Sequence, residues 1–193
     1  MSLLETPSED LLVAIRALLT AKGITDPDEI AERIRITDEA SPARGAAMVA
    51  RAWTDPDYRA LMLRNGTEAA EAMGVPMRGL PPLGVLENTA EIHNLVVCTL
   101  CSCYPRAVLG YPPFWFKSAA YRARAVRDPR ALLAEWGTPI PDHVKLRVVD
   151  STADYRWMVL PLRPEGTEGW PADRLAALIR EGDMIGVTVP SVG

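Results

Sequence analysis

The sequence predicts an α+β fold: an N-terminal helical arm over residues 1–40, then a layered α/β/β/α body over 41–193 carrying a loop of clustered thiols. Three observations predict it. Helix-type periodicity with helix-start signals fills the N-terminal part as far as Gly74. A Pro/Gly-rich break follows at Pro76–Gly84, and β-type runs appear only beyond it. All three cysteines, Cys98, Cys101 and Cys103, then stand within one short stretch directly behind one of those runs.

Ser8 is placed to cap a first helix whose apolar face is Leu11, Leu12, Ile15, Leu18 and Leu19, with Gly23 as its stop. Asp26-Pro27-Asp28-Glu29 supplies an N-cap, a first-turn proline and a capping-box acid for a second helix carrying Ile30 and Ile34. Ser41-Pro42 opens a third, with Met48, Val49 and Trp53. Asp55-Pro56 opens a fourth, with Tyr58, Leu61 and Met62, closing near Gly66; Glu68 to Met73 adds a further turn. Val85-Leu86 and Leu95-Val96-Val97 read as strands, as do the alternating Leu146 and Val148 and the run Tyr155–Leu162. Asp128-Pro129 opens a helix ending near Gly137. Trp170-Pro171 precedes an amphipathic helix with Leu175, Leu178 and Ile179, and Met184–Val189 is expected as a last strand. The first two helices have narrow apolar faces, suited either to lying across a partner chain or to packing on their own body.

At 193 residues and 48% apolar content, the chain can bury one core with an appended arm. A net charge of −4 argues against a nucleic-acid partner. No run approaches the roughly 18 apolar residues of a membrane span. The start MSLLETPSEDLL has no basic, then apolar, leader pattern. The expected setting is cytoplasmic, where clustered thiols bind metal or do redox work rather than staple a fold.

Cys101-Ser102-Cys103 has a chelating property that wider spacings lack. If both sulfurs and the amide nitrogens of Ser102 and Cys103 bind one ion, the fused rings are five- and six-membered and unstrained. Those four atoms define a plane, Cys98 reaches an axial position, and one position stays open. Amide nitrogen must lose its proton to bind, which zinc promotes poorly; zinc also prefers a tetrahedron. Amidate and thiolate are strong-field donors suited to low-spin trivalent cobalt or iron, a Lewis acid toward a carbon–nitrogen triple bond or an activator of water. Three other fates stay open on chemistry alone: zinc with His93 as fourth ligand, a C-x-x-C redox pair, and inert buried thiols. His143 stands alone, and neither histidine sits in a hydrolase nucleophile context.

At these residues the chain resembles the α subunit of nitrile hydratase. The resemblance rests on Ser41-Pro42-Ala43-Arg44-Gly45-Ala46, Val49 to Trp53, Asp57-Tyr58, Val85 to Thr89, His93-Asn94 and the motif Val97 to Pro105. It continues through Leu109-Gly110, Pro112-Pro113, Trp115, Lys117, Tyr121-Arg122, Asp128-Pro129-Arg130 and Val159-Leu160-Pro161. Thr99 is similar to the cobalt class. The resemblance implies an enzyme hydrating a small nitrile to its amide at one low-spin Co(III) per chain, with iron second. The implied metal ligands are the sulfurs of Cys98, Cys101 and Cys103 and the amide nitrogens of Ser102 and Cys103. Cys101 is implied to be sulfinate and Cys103 sulfenate, rungs of the thiol oxidation ladder. Cys103, through its oxygen, and Ser102, through its hydroxyl, are the implied catalytic groups. The implied partners are a β subunit, in one chain or two, that completes the active-site interface with its arginines and is wrapped by the arm, and a cobalt-loading activator protein.

The related thiocyanate hydrolase γ subunit carries the same motif, and a non-catalytic zinc-stabilised module is the third reading. Arg106 stands where the family usually has Trp, Tyr111 where Leu is common, and Phe116 where Tyr is common. Such changes suit an unusual β chain or an unusual substrate, for which the heteroaromatic nitriles of toyocamycin-type nitrile hydratases are one example. Phe114 and Trp115 are expected in the core, with stacking on such a ring as the alternative. Arg122, Arg124, Arg127 and Arg130 are expected on a solvated helix face or in intersubunit salt bridges.

Overall fold

The computed structural model describes residues 8–101 and 103–192. Contacts divide the chain into one unit ending at Glu39 and another beginning at Ala40. The first holds α1 (Ser8–Ala21) and α2 (Pro27–Asp38). The capping role expected of Ser8 lies outside the described side chains. Gly23 ends α1 in the left-handed region, at φ 64°. Asp26 accepts from the Asp28 amide at 2.7 Å, a single cap rather than the reciprocal box expected with Glu29. Arg35 bridges Glu32 and Glu39 on α2, an exposed network that contributes little stability. Leu12, Val13 and Leu18 of α1 are more than half exposed.

The second unit is built around α3 (Pro42–Thr54), whose Met48, Val49 and Ala50 are fully buried. It packs against α4 (Pro56–Arg64), α6 (Arg106–Leu109) and α10 (Ala172–Ala176). Asp55 caps α4 through the Tyr58 amide at 3.0 Å. α4 ends at Arg64, near Gly66 as expected, and Gly66 itself opens α5 (Gly66–Glu71), because the Asn65 side chain accepts from the Glu68 amide and restarts the helix.

The break at Pro76–Gly84 lies inside this second unit, and its last residues already belong to β1 (Leu83–Glu87). β1 pairs in parallel with β4 (Arg156–Leu160), and β2 (Ile92–Val97) with β3 (Lys145–Asp150). Parallel pairing needs long crossovers. The one between β2 and β3 holds the thiol loop, α6, α7 (Phe114–Lys117), α8 (Ala119–Arg127) and α9 (Pro129–Glu135). α4 and α5 lie on β1, the two sheets meet through β2, and α8 and α9 lie on β2 and β3, giving the α/β/β/α order. Leu95, Val96 and Val97 are at most 1% exposed, as a strand covered on both faces must be.

Two C-terminal expectations are corrected. α10 ends at Ala176, and Leu178 and Ile179 follow in tighter turns bonded to Leu175 and Ala176. Met184–Val189 is not a strand. Glu181–Met184 forms a 3₁₀ turn, and Ile185 gives β2 one bond, accepting from the Val96 amide at 2.8 Å. Asp183, fully buried, curls this segment by accepting from the Arg180 amide and the Thr188 hydroxyl. Gly186 completes the bend at φ 86°, where an added Cβ would lie 1.9 Å from the Asn94 carbonyl oxygen. Among the described residues no helix is long and apolar enough to cross a membrane.

Gly186→Ala therefore combines a forbidden backbone region with a backbone clash, and should destabilise the chain by about 3 kcal/mol or more in denaturant unfolding. Gly166→Ala, at a similar φ of 75° but with open space around it, should cost about 1–2 kcal/mol. Equal losses at both positions would refute the close approach of the turn to β2.

Candidate metal centre

Strand β2 delivers Cys98 to the edge of the core. The Val96 carbonyl accepts from the Tyr121 hydroxyl of α8 at 2.6 Å, and the register sets Val97 beside Asp150 of β3. That register puts the Asp150 carboxylate under the loop, where it accepts from the Thr99 amide at 3.0 Å and the Thr99 hydroxyl at 2.5 Å. Arg122 of α8 donates to the Thr99 carbonyl at 3.3 Å. All three hydrogen-bonding groups of Thr99 are thus held by other elements, and the loop turns sharply after Cys98.

The three sulfurs converge to within 4.8 Å of one another. Cys98 Sγ lies 3.5 Å from Cys101 Sγ, which lies 3.1 Å from Cys103 Sγ. None is in a disulfide. Metal–sulfur bonds of about 2.3 Å would set tetrahedral sulfurs about 3.8 Å apart, whereas right angles at that length give about 3.3 Å. The Cys101–Cys103 spacing is shorter than a zinc tetrahedron would set, and the Cys98–Cys101 spacing lies between the two geometries. Cys98 and Cys103 are buried and Cys101 is exposed, so the cluster opens to one side. Ser102, the remaining predicted site residue, lies outside the described residues.

Burial, and then the neighbouring sulfurs, push the Cys103 thiol up to about 12; the guanidinium of Arg156, at the start of β4, works in the opposite direction. Arg156 Nη1 is buried without a hydrogen-bond partner among the described residues. Arg156 also lines a cavity of about 200 Å³ with Tyr104, Pro105 and Arg106.

His93 is not a fourth ligand. It is buried, its Nε2 donates to the Gly186 carbonyl at 2.8 Å, and its Nδ1 accepts from the Asn88 side-chain Nδ2 at 3.3 Å. Burial holds its pKa below the ordinary value, so it is a neutral core histidine. Trp115 packs as expected, edge-on to Phe116, Tyr121 and Trp136 at 5.0–5.9 Å. Phe114 does not: it is 86% exposed. Arg106 is exposed and stacks on Tyr111 at 4.3 Å. The α8–α9 arginines are not a uniformly solvated face. Arg124 pairs with Glu135 at 2.7 Å, and Arg130 ties α9 to the carbonyls of Ile140 and Val144 before β3.

Sequence reasoning missed Asp150, Arg156, and the bond from Tyr104 to Glu181 at 2.5 Å. Asp150 has a faint sequence signal, an acid closing a predicted strand. Glu181 has none, since its partner is 77 residues away.

An α+β chain whose core strand ends in three converging sulfurs is a protein of the thiolate metal-centre class. A family model described as "Nitrile hydratase, alpha chain" matches residues 6–188. The low-molecular-weight cobalt-containing nitrile hydratase subunit alpha of Rhodococcus rhodochrous is 49% identical over 180 residues, 92% of this chain and 86% of that one. The thiocyanate hydrolase subunit gamma of Thiobacillus thioparus is 50% identical over 111 residues, 58% of this chain and 46% of that one. A solved structure of recombinant thiocyanate hydrolase with partially modified cobalt centres superposes with a TM-score of 0.85 at 40% identity, covering 96% of this chain and 91% of that one. The chain belongs to the nitrile hydratase α-chain family.

The burial pattern predicts an order of thiol reactivity in metal-free protein, because alkylation needs thiolate. At about pH 8, iodoacetamide should modify Cys101 first, while Cys98 and Cys103 react only as the fold opens. Asp150→Ala, which strips Thr99 of two bonds, should speed modification of Cys98 and Cys103 several-fold, as read by peptide mass spectrometry. Equal rates at all three thiols in the parent chain would contradict the structure.

Proposed function

We propose that the chain is the metal-bearing subunit of a cobalt-dependent nitrile hydratase, adding one water across the carbon–nitrogen triple bond of a nitrile to give the amide. Family membership supports the activity, and the cobalt-containing Rhodococcus relative supports the metal. The observation that carries it here is the convergence of the Cys98, Cys101 and Cys103 sulfurs at the end of β2. In this reading the three sulfurs and the amide nitrogens of Ser102 and Cys103 hold the ion, and cobalt, when bound, supplies Lewis acidity at one open position. Cys101 as sulfinate and Cys103 as sulfenate, formed with dioxygen as the oxidant, would draw charge off the sulfurs. The Cys103 oxygen would then serve as base or nucleophile, and the Ser102 hydroxyl would orient the attacking water. Iron is the second choice of metal.

The same reading includes a β-type partner, in one chain or two, that covers the open side of the cluster. Leu100 at 87% exposed, Phe114 at 86% and Tyr111 at 58% are uncovered apolar side chains in the sulfur loop and the chain that follows it, and they support such a partner. Residues 1–40 are read as an arm that wraps it, supported by the uncovered apolar side chains of α1. A loading protein and a reducing, cytoplasmic setting belong to the same picture, since the thiols must reach the metal unoxidised.

One observation favours a second reading, hydration of thiocyanate. Arg106 is an exposed cation three residues beyond Cys103 in the chain, a charge that would suit an anionic substrate.

Co-production with the β-type partner in cobalt medium tests the assignment. The expected result is one cobalt per chain, three added oxygens in the intact mass, and a sulfur-to-cobalt absorption band. Cys98→Ala, Cys101→Ala and Cys103→Ala should each reduce nitrile hydration to background. A colourless zinc chain with no added oxygen would overturn the proposal. Arg106→Trp separates the substrates: it should lower kcat/KM for thiocyanate at least about tenfold, the scale of one lost charge contact, and leave a neutral nitrile within about threefold.

A further inference from the structure

We propose that Glu181 is a positioning residue for the metal centre, acting through Tyr104; the inference rests on the reading that the three sulfurs hold a metal. The ligand loop has an entrance and an exit, and both are tied to the same short turn. At the entrance, one residue before Val97, the Val96 amide donates to the Ile185 carbonyl at 2.8 Å. At the exit, Tyr104 follows Cys103 directly. Its ring is buried and lies edge-on to Phe116 at 4.9 Å, and its hydroxyl donates to Glu181 Oε1 at 2.5 Å. Glu181 opens the 3₁₀ turn that runs into Ile185. The distance across which Cys98 and Cys103 face each other is therefore set by a brace outside the loop.

The brace is stiff. Asp183, fully buried, bonds the Arg180 amide at 2.8 Å and the Thr188 hydroxyl. The Gly182 carbonyl accepts from Gly186 at 2.9 Å and Val187 at 3.0 Å. Met184 is buried in the core, and the Gly186 carbonyl holds His93 of β2 at 2.8 Å. A displacement of the turn moves both ends of the loop together.

Stability alone does not account for Glu181. Its carboxylate is partly buried and makes no ion pair among the described residues. Burying an acid for one hydrogen bond is a poor way to stabilise a core, where an apolar pair of equal volume does as well or better. A carboxylate acceptor does make the bond shorter and more directional than a neutral one. That property is useful where the position of the residue beside a ligand matters, as with the outer-shell partners of metal ligands.

The test uses the cobalt-loaded complex of this chain with its partner. Tyr104→Phe removes only the hydroxyl, and Glu181→Ala only the acceptor. Both should shift or broaden the sulfur-to-cobalt band and lower the cobalt content under limiting cobalt, in line with an affinity loss of about tenfold. Glu181→Gln, which keeps an oxygen acceptor without its charge, should fall between the parental band and that of Glu181→Ala. Trp53→Phe, which removes the bond from its indole in α3 to the Pro161 carbonyl at 2.9 Å and touches neither Tyr104 nor Glu181, is the stability control and should leave the band unmoved. If Glu181→Ala does not fold, Tyr104→Phe and Glu181→Gln carry the test. A parental band and cobalt content in Tyr104→Phe would overturn the inference. A parent complex with no cobalt band would instead overturn the metal assignment, and the inference with it.

Discussion

Three sulfurs held within 4.8 Å of one another are the constraint on which the rest of the molecule depends. A free six-residue loop would not keep them there. Ordering its backbone costs about 1–2 kcal/mol per residue. The fold meets the cost from outside the loop. β2 is buried up to its last residue, Asp150 and Arg122 hold Thr99, and Tyr104 is pinned in the aromatic core. The ligand loop is shaped before any ion arrives, so binding need not pay its full ordering entropy.

Burial is unequal across the cluster, and the inequality has chemical meaning. Cys98 and Cys103 face the core while Cys101 faces out with Leu100. Burial, and then the neighbouring sulfurs, raise the Cys103 thiol, so an ion that binds there must displace a proton.

The parts legible in the sequence are those set by neighbours in the chain. Asp26-Pro27, Asp55-Pro56 and Asp128-Pro129 each start a helix, because an acid cap and a first-turn proline act within one turn. The thiol cluster was legible for the same reason: chelate rings close over two or three residues. What failed was long-range. Met184–Val189 has strand composition, yet Gly186 must pass against the Asn94 carbonyl and Asp183 curls the segment first. His93 looked like a spare ligand because its two partners, Asn88 and Gly186, come together only in the fold. Phe114 looked like core because nothing in its local sequence distinguishes it from Phe116, which is buried two residues on.

Charge around the loop follows from the same arrangement. Thiolates and deprotonated amides outnumber the charge of a trivalent ion, so the proposed centre is anionic and needs cations nearby. The chain offers them at graded depth. Arg156 approaches from β4 with a buried N–H that has no partner among the described residues. Arg122 spans the loop through the Thr99 carbonyl, and Arg106 stands outside on Tyr111. The buried cation acts in a low-dielectric setting where each contact is strong, and the outer one is screened by water. The inner arginine is thus suited to stabilising the centre itself, and the outer one to sorting what approaches it.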